Sequence, residues 1–217
     1  MYLVHTPKLI QQLLPGFTWR KPSAQKVLYL TFDDGPIPEV TPWVMEQLRR
    51  YDARGTFFCV GHNVQKHPEV FDQLLEEGHA VGNHTFHHLD GWNTDTKVYV
   101  DNVAACATWV DSNLFRPPYG KLTPAKTQQL RPEYEVVLWD VLSADFDTRL
   151  TGEQCWQNVQ RNARPGSILV FHDSLKAWDR LSYALPKTLA YFADQGYRFE
   201  ALQSQRQPVR EWVPVMA

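Results

Sequence analysis

Thr31-Phe32-Asp33-Asp34-Gly35-Pro36 decides how the rest of the chain is read. It follows Val27-Leu28-Tyr29-Leu30, an apolar, partly β-branched run with the character of a buried strand. Gly35-Pro36 then ends that strand abruptly. Two adjacent carboxylates are thereby carried to a strand's C-terminal edge. Within a strand, neighbours point to opposite faces; where the chain turns away, both can face one site. Two such charges raise each other's pKa unless a cation or an arginine compensates, so the pair implies partners elsewhere.

Outward from this stretch, strand and helix patterns alternate. Further strands are expected at 55–61, 80–82, 114–116, 135–139, 167–171 and 197–200. Helices are expected from Thr41 (an N-cap, with Pro42 at N1) to about 51, over 68–77 with Gly78 as the stop, and over 96–112 with Val100, Val103, Ala104, Ala107 and Val110 inward. Others start at Thr123-Pro124 and at the capping box Thr151-Gly152-Glu153-Gln154, and a last one covers 183–195. Parallel strands with crossover helices follow from this alternation, as a barrel or an open doubly wound sheet. In both, a site lies beyond the C-terminal strand ends. Residues 1–26 read as an N-terminal covering segment and 27–217 as one domain.

Ionisable residues cluster after these strands. Asp33 and Asp34 follow the first, His84, His87 and His88 the third, Arg116 the fourth, Asp140 and Asp145 the fifth, and His172 and Asp173 the sixth. On one helical turn, His84 and His88 would face the same way, about 5–6 Å apart at Cβ. With a carboxylate from another strand edge they form the donor set of a catalytic metal site with an open position. A divalent cation would also keep the aspartate pair ionised.

At these residues the chain resembles the polysaccharide deacetylases of carbohydrate esterase family 4, the NodB-homology group. Thr-Phe-Asp-Asp-Gly stands at 31–35, His-Ser/Thr-x-x-His at 84–88, Arg-x-Pro-x-Gly at 116–120, and Leu-x-x-x-His appears as Ile168 to His172. The fourth motif departs: the family often has Asp-x-x-Asp-Trp where this chain has Leu142-Ser143-Ala144-Asp145-Phe146. The resemblance implies a distorted (β/α) barrel of about seven parallel strands. It also implies that Asp34, His84 and His88 hold Zn2+, or another divalent metal such as Co2+ or Ni2+. Asp33 would be the general base, kept ionised and oriented by Arg116. His172 would protonate the departing amine, with Asp145 on its other ring nitrogen, and the backbone N–H of Tyr119 would help hold the oxyanion. The substrate class implied is an N-acetylated carbohydrate, of chito-oligosaccharide or peptidoglycan type.

Sugars stack on aromatic faces, so Trp92, Trp178, Tyr119 and Phe146 are candidates to line a glycan groove, while Trp139 reads as core. His87 should point away from its neighbours' shared face, and Asp173 reads as a structural hydrogen-bonding residue. His5, His62, His67 and His79 fit no pattern.

A formal charge of −2 gives no basic field for nucleic acid, and no apolar run is long enough for a membrane span. The N-terminus lacks the basic start and apolar core of a signal peptide. The three cysteines, Cys59, Cys106 and Cys155, are widely spaced and suggest buried thiols. A cytoplasmic monomer is the expectation, or an extracytoplasmic protein if a leader is missing. Two other functions fit the residues: amide or imide hydrolysis on small non-sugar substrates, and carbohydrate binding by a metal-containing protein without turnover.

Overall fold

A computed structural model describes residues 2–21 and 23–204; the end of the expected domain, 205–217, lies outside the described residues. At the centre is β1 (Val27–Asp33), buried along nearly its whole length, as expected of a parallel strand covered on both faces. It pairs with β2 (Thr56–Cys59) on one side and β7 (Ile168–His172) on the other. Beyond β2 follow β3 (Ala80–Asn83), β4 (Leu114–Phe115) and β5 (Glu135–Val136); beyond β7 lies β6 (Val141–Leu142). A short β8 (Arg198–Phe199) pairs with the start of β1. Every pairing between these strands is parallel, and the path β5-β4-β3-β2-β1-β7-β6 curls into a distorted (β/α) barrel. Phe32 stacks on Phe57 with ring centroids 4.8 Å apart, fixing β1 on β2 inside the main core.

The expected strand over 135–139 is shorter than read: β5 ends at Val136, and β6 follows from Val141 at the opposite edge of the path. Val137 N–H still donates to Phe115 O on β4 (2.8 Å), yet Asp140 N–H already donates to Ile168 O on β7 (3.1 Å). Val-Val-Leu-Trp carries no glycine or proline to mark this change of partner. The seam is stitched by the N-terminal segment: Thr18 bonds Val136 O (2.9 Å) and Leu138 N (2.8 Å), Thr6 N–H reaches Asp140 O (2.9 Å), and Leu142 N–H reaches Val4 O (2.8 Å).

The helices are α1 (Lys8–Leu13), α2 (Thr41–Arg49), α3 (Gly61–Lys66), α4 (Pro68–Glu76), α5 (Thr96–Ala107), α6 (Pro124–Leu130), α7 (Gly152–Asn162) and α8 (Trp178–Asp194). The caps read from sequence at Thr123 and at Thr151 with Gln154 are formed. Thr41 is not an N-cap: it is the first residue of α2, and its hydroxyl accepts from Ile37 N–H and donates to Asp173. Helix α3 gave no apolar period to read, α5 stops short of 112, and α8 begins five residues before 183. All three cysteines are buried and free. Among the described residues no helix is long and apolar enough to cross a membrane.

Candidate active site

Asp33 is the last residue of β1 and Arg116 follows β4 directly; both are buried. Arg116 Nη1 donates to Asp33 Oδ1 (2.6 Å) and Thr31 Oγ1 (2.7 Å). Its Nε reaches Val137 O (3.2 Å), its Nη2 reaches Leu138 O (3.1 Å), and the guanidinium lies 4.1 Å from the centroid of Phe58. Burial draws Arg116 below its usual pKa, while the charge and hydrogen bond of Asp33 act the other way. The residues that connect β5 to β6 thus supply the carbonyls that fix this guanidinium.

Asp34 leaves the strand with φ 84, which turns it from β1 toward the loop after β3. Its Oδ1 lies 3.2 Å from His88 Nε2 and 3.8 Å from His84 Nε2. One donor atom from each of the three lies within 4.8 Å of the others. His84 Nδ1 is 2.7 Å from Arg116 O. A carbonyl only accepts, so Nδ1 carries the proton and Nε2 presents its lone pair to the cluster. Burial pushes the His84 imidazole down to about 4, so it is neutral near pH 7. Burial alone would raise Asp34, but the His88 hydrogen bond and the charges of His172, His84 and His88 hold it well below the usual carboxylate range. Two neutralisable nitrogens and one carboxylate oxygen suit a divalent cation.

The geometry behind the two histidines is not a helical turn. Residues 84–88 form a loop with Thr85 at φ 63 and His88 at φ 54. Asn83 Oδ1 accepts from Thr85 N–H, and Asn102 Oδ1, on α5, accepts from the N–H groups of Phe86 and His87. Asparagine side chains replace the missing helical hydrogen bonds, and the rings of His84 and His88 converge to 5.0 Å. His87 is exposed and lies against His62 instead.

His172 ends β7, and its Nδ1 is 2.7 Å from Asp145 Oδ1. Burial would lower this imidazole, but Asp145, with Asp34 and Asp33 behind it, raises it to about 9. Phe146 packs edge-on to His172 at 5.2 Å and to Tyr2 at 5.1 Å. Tyr119, at φ 60 and 62% exposed, sets its ring edge-on to His88 at 4.7 Å. Trp92 is 63% exposed, and Lys121 Nζ sits 5.3 Å from the rings of both Trp92 and Tyr119 while pairing with Asp90 (2.6 Å).

Two residues lie elsewhere than read. Asp140 precedes β6 and so sits at the opposite end of the barrel, buried with Arg164, Ser167 and Gln11. Trp178 is the first residue of α8, not a loop residue, and is half-buried edge-on to Trp43 at 5.1 Å. Asp173 accepts from Gly35 N–H and Thr41 Oγ1, and burial pushes its carboxyl up to about 8. Asn63 and Asn102 were not singled out from sequence, and Thr31 and Thr41 only as a motif residue and a helix cap; isolated Thr and Asn carry no spacing signal for these contacts.

Two charged pairs, Arg116 with Asp33 and His172 with Asp145, thus stand at the same strand ends as a three-donor cluster. The polysaccharide deacetylase family profile matches residues 20–136. A peptidoglycan-N-acetylglucosamine deacetylase of Bacillus cereus is 38% identical, over 84% of this chain and 89% of that one. A chitooligosaccharide deacetylase of Azorhizobium caulinodans is 35% identical, over 69% of this chain and 74% of that one. Among solved structures, the Bc1960 peptidoglycan N-acetylglucosamine deacetylase in complex with 4-naphthalen-1-yl-N-oxidanyl-benzamide superposes with a TM-score of 0.81 at 25% identity, covering 95% of this chain and all of that one. The chain belongs to the polysaccharide deacetylase family, carbohydrate esterase family 4, and is a deacetylase acting on carbon–nitrogen bonds.

Proposed function

We propose that the protein removes N-acetyl groups from glycans containing N-acetylglucosamine, of chito-oligosaccharide or peptidoglycan type, with a divalent cation held by Asp34, His84 and His88. The observation that carries this reading is the placement of Asp33 with Arg116 and of His172 with Asp145 beside one donor cluster. A bound cation, zinc in the first instance, acidifies a water and polarises the amide carbonyl.

Arg116 engages Asp33 Oδ1 and leaves the other carboxylate oxygen to take the proton of the attacking water. The Tyr119 N–H, on a turn whose Gly120 and Lys121 N–H groups bond to Pro117 O and Pro118 O, donates in this reading to the carbonyl oxygen as it becomes an oxyanion. Asp145 keeps a proton on His172 Nδ1, so that Nε2 can protonate the amine nitrogen as the C–N bond breaks. Phe146, flanked by Tyr2, shapes the surface beside His172 where the family often has tryptophan. Trp92 offers a stacking face for a neighbouring sugar.

Acetate release from chito-oligosaccharides and from peptidoglycan, measured with metal-reconstituted and chelated protein, tests the proposal, with Asp33→Asn as the inert control. Release that depends on the cation is the expected result. Cleavage confined to cyclic amides, or zinc uptake without turnover, would replace it with one of the two other readings.

A further inference from the structure

We infer that Asp173, Thr41 and Asn63 form a clamp that holds Asp34 in its ligand pose before any cation arrives. This rests on the reading of Asp34, His84 and His88 as cation ligands, and extends it to residues that touch neither the cation nor the substrate.

The need for a clamp follows from the backbone. Asp34 stands at φ 84, in the left-handed region, where a residue with a side chain carries a conformational cost that its surroundings must offset. The segment that follows carries polar backbone groups with no strand partner. Four of them are met from outside the segment. Asn63, on α3, donates its Nδ2 to Asp34 O at 2.7 Å. Asp173, directly after β7, accepts Gly35 N–H on Oδ1 at 3.1 Å. Its Oδ2 accepts the Thr41 hydroxyl at 2.6 Å, and that hydroxyl accepts Ile37 N–H at 2.8 Å. Val60 N–H closes on Gly35 O at 3.0 Å, and Asp173 N–H on Asp33 O at 3.1 Å.

Asp173 and Thr41 are both fully buried, so water does not compete for these bonds. The fit is tight: a Cβ on Gly35 would lie 2.0 Å from Asp173 Oδ2, which explains a glycine here although its φ lies outside the left-handed region. His172 and Asp173 are consecutive, so one dipeptide places the proposed acid and fastens the loop that carries the first ligand. Rotation of the Asp34 backbone to an ordinary φ would swing its carboxylate away from the two imidazoles.

The measurement is the zinc dissociation constant, by competition with a chromophoric chelator, on protein shown to be folded by circular dichroism. The variants are Asp173→Ala, Thr41→Val and Asn63→Ala, with Thr41→Ser as the conservative replacement that keeps the hydroxyl. Groups that orient metal ligands typically change affinity 10–100-fold when removed, and a loss of that size is expected for the first three, with near wild-type affinity for Thr41→Ser. A merely structural role would lower the melting temperature and leave the affinity of folded protein unchanged, which overturns the inference. If Asp173→Ala does not fold, Thr41→Val and Asn63→Ala decide the matter. Wild-type protein that takes up no zinc, or takes it up equally well after Asp34→Asn, overturns the cation reading itself and the clamp with it.

Discussion

Asp145 holds His172 at two points: Oδ1 lies 2.7 Å from the ring Nδ1, and Oδ2 accepts the backbone N–H of the same residue at 2.9 Å. Ring and backbone are thus fixed by one carboxylate, which also keeps the imidazole protonated up to about pH 9 against the effect of burial. A general acid must carry its proton, so the rate should fall as pH rises through about 9. In Asp145→Asn the alkaline limb should move to lower pH, with kcat near pH 8 reduced by roughly 10²–10⁴-fold. The pH–rate profiles of the two proteins check this.

The stability of the metal-free protein should pass through a maximum near the ordinary histidine pKa of about 6.5. Burial lowers His79 and His84 to about 4, so between pH 4 and 6.5 the unfolded chain binds more protons and stability rises with pH. His172 has the opposite sign. Its raised value gives stability that is complete below about 6.5 and is lost toward pH 9, and Asp173, raised by burial to about 8, has the same sign, losing its contribution between about pH 4 and 8 and so opposing part of the acid-side rise of the two histidines. Melting temperatures across pH 4–9 test both limbs, and Asp145→Asn should flatten only the alkaline one.

Removing one partner of the Asp33–Arg116 pair leaves a buried charge without its counter-ion. Asp33→Ala should therefore cost about 3–5 kcal/mol in urea unfolding, the range found for broken buried pairs. Asp33→Asn retains an oxygen acceptor for Arg116, so it should lose less stability while losing turnover as completely.

Trp92 and Trp178 should separate in opposite ways. Trp92 is open to solvent beside Lys121 and Tyr119, so Trp92→Ala should raise KM for oligosaccharides several-fold at nearly constant kcat and melting temperature. Trp178 packs on Trp43, so Trp178→Ala should lower the melting temperature with little change in KM. Steady-state kinetics on a chito-oligosaccharide series and thermal melts read both.

Much of this arrangement was legible because parallel strands are fully buried and their ends are where ionisable residues first become tolerable. Asp33, Arg116 and His172 each end or follow an apolar run, so polarity marks the rim. The same logic misplaced Asp140, because the run before it hides a change of sheet edge, and a residue after one strand is then a residue before the next. The convergence of His84 and His88 was foreseen with the wrong backbone. Spacing of four suggests a helix, whereas two left-handed residues and the side chains of Asn83 and Asn102 make the turn. Hydrogen bonds from single asparagines and threonines to distant backbone leave no periodic trace in a sequence, which is why the supports of Asp34 had to be seen in three dimensions.

The stitching of the sheet seam by the N-terminal segment has a consequence for biosynthesis. Thr6 and Thr18 bond partners 133 and 117 residues further along. During synthesis, Thr6 and Thr18 stay without these partners until Glu135 and Trp139 have emerged from the ribosome. Such distant pairings come late and slowly. The segment around Thr6 and Thr18 therefore joins the two sheet edges only after the intervening strands are made, and with them it secures the carbonyls that fix Arg116.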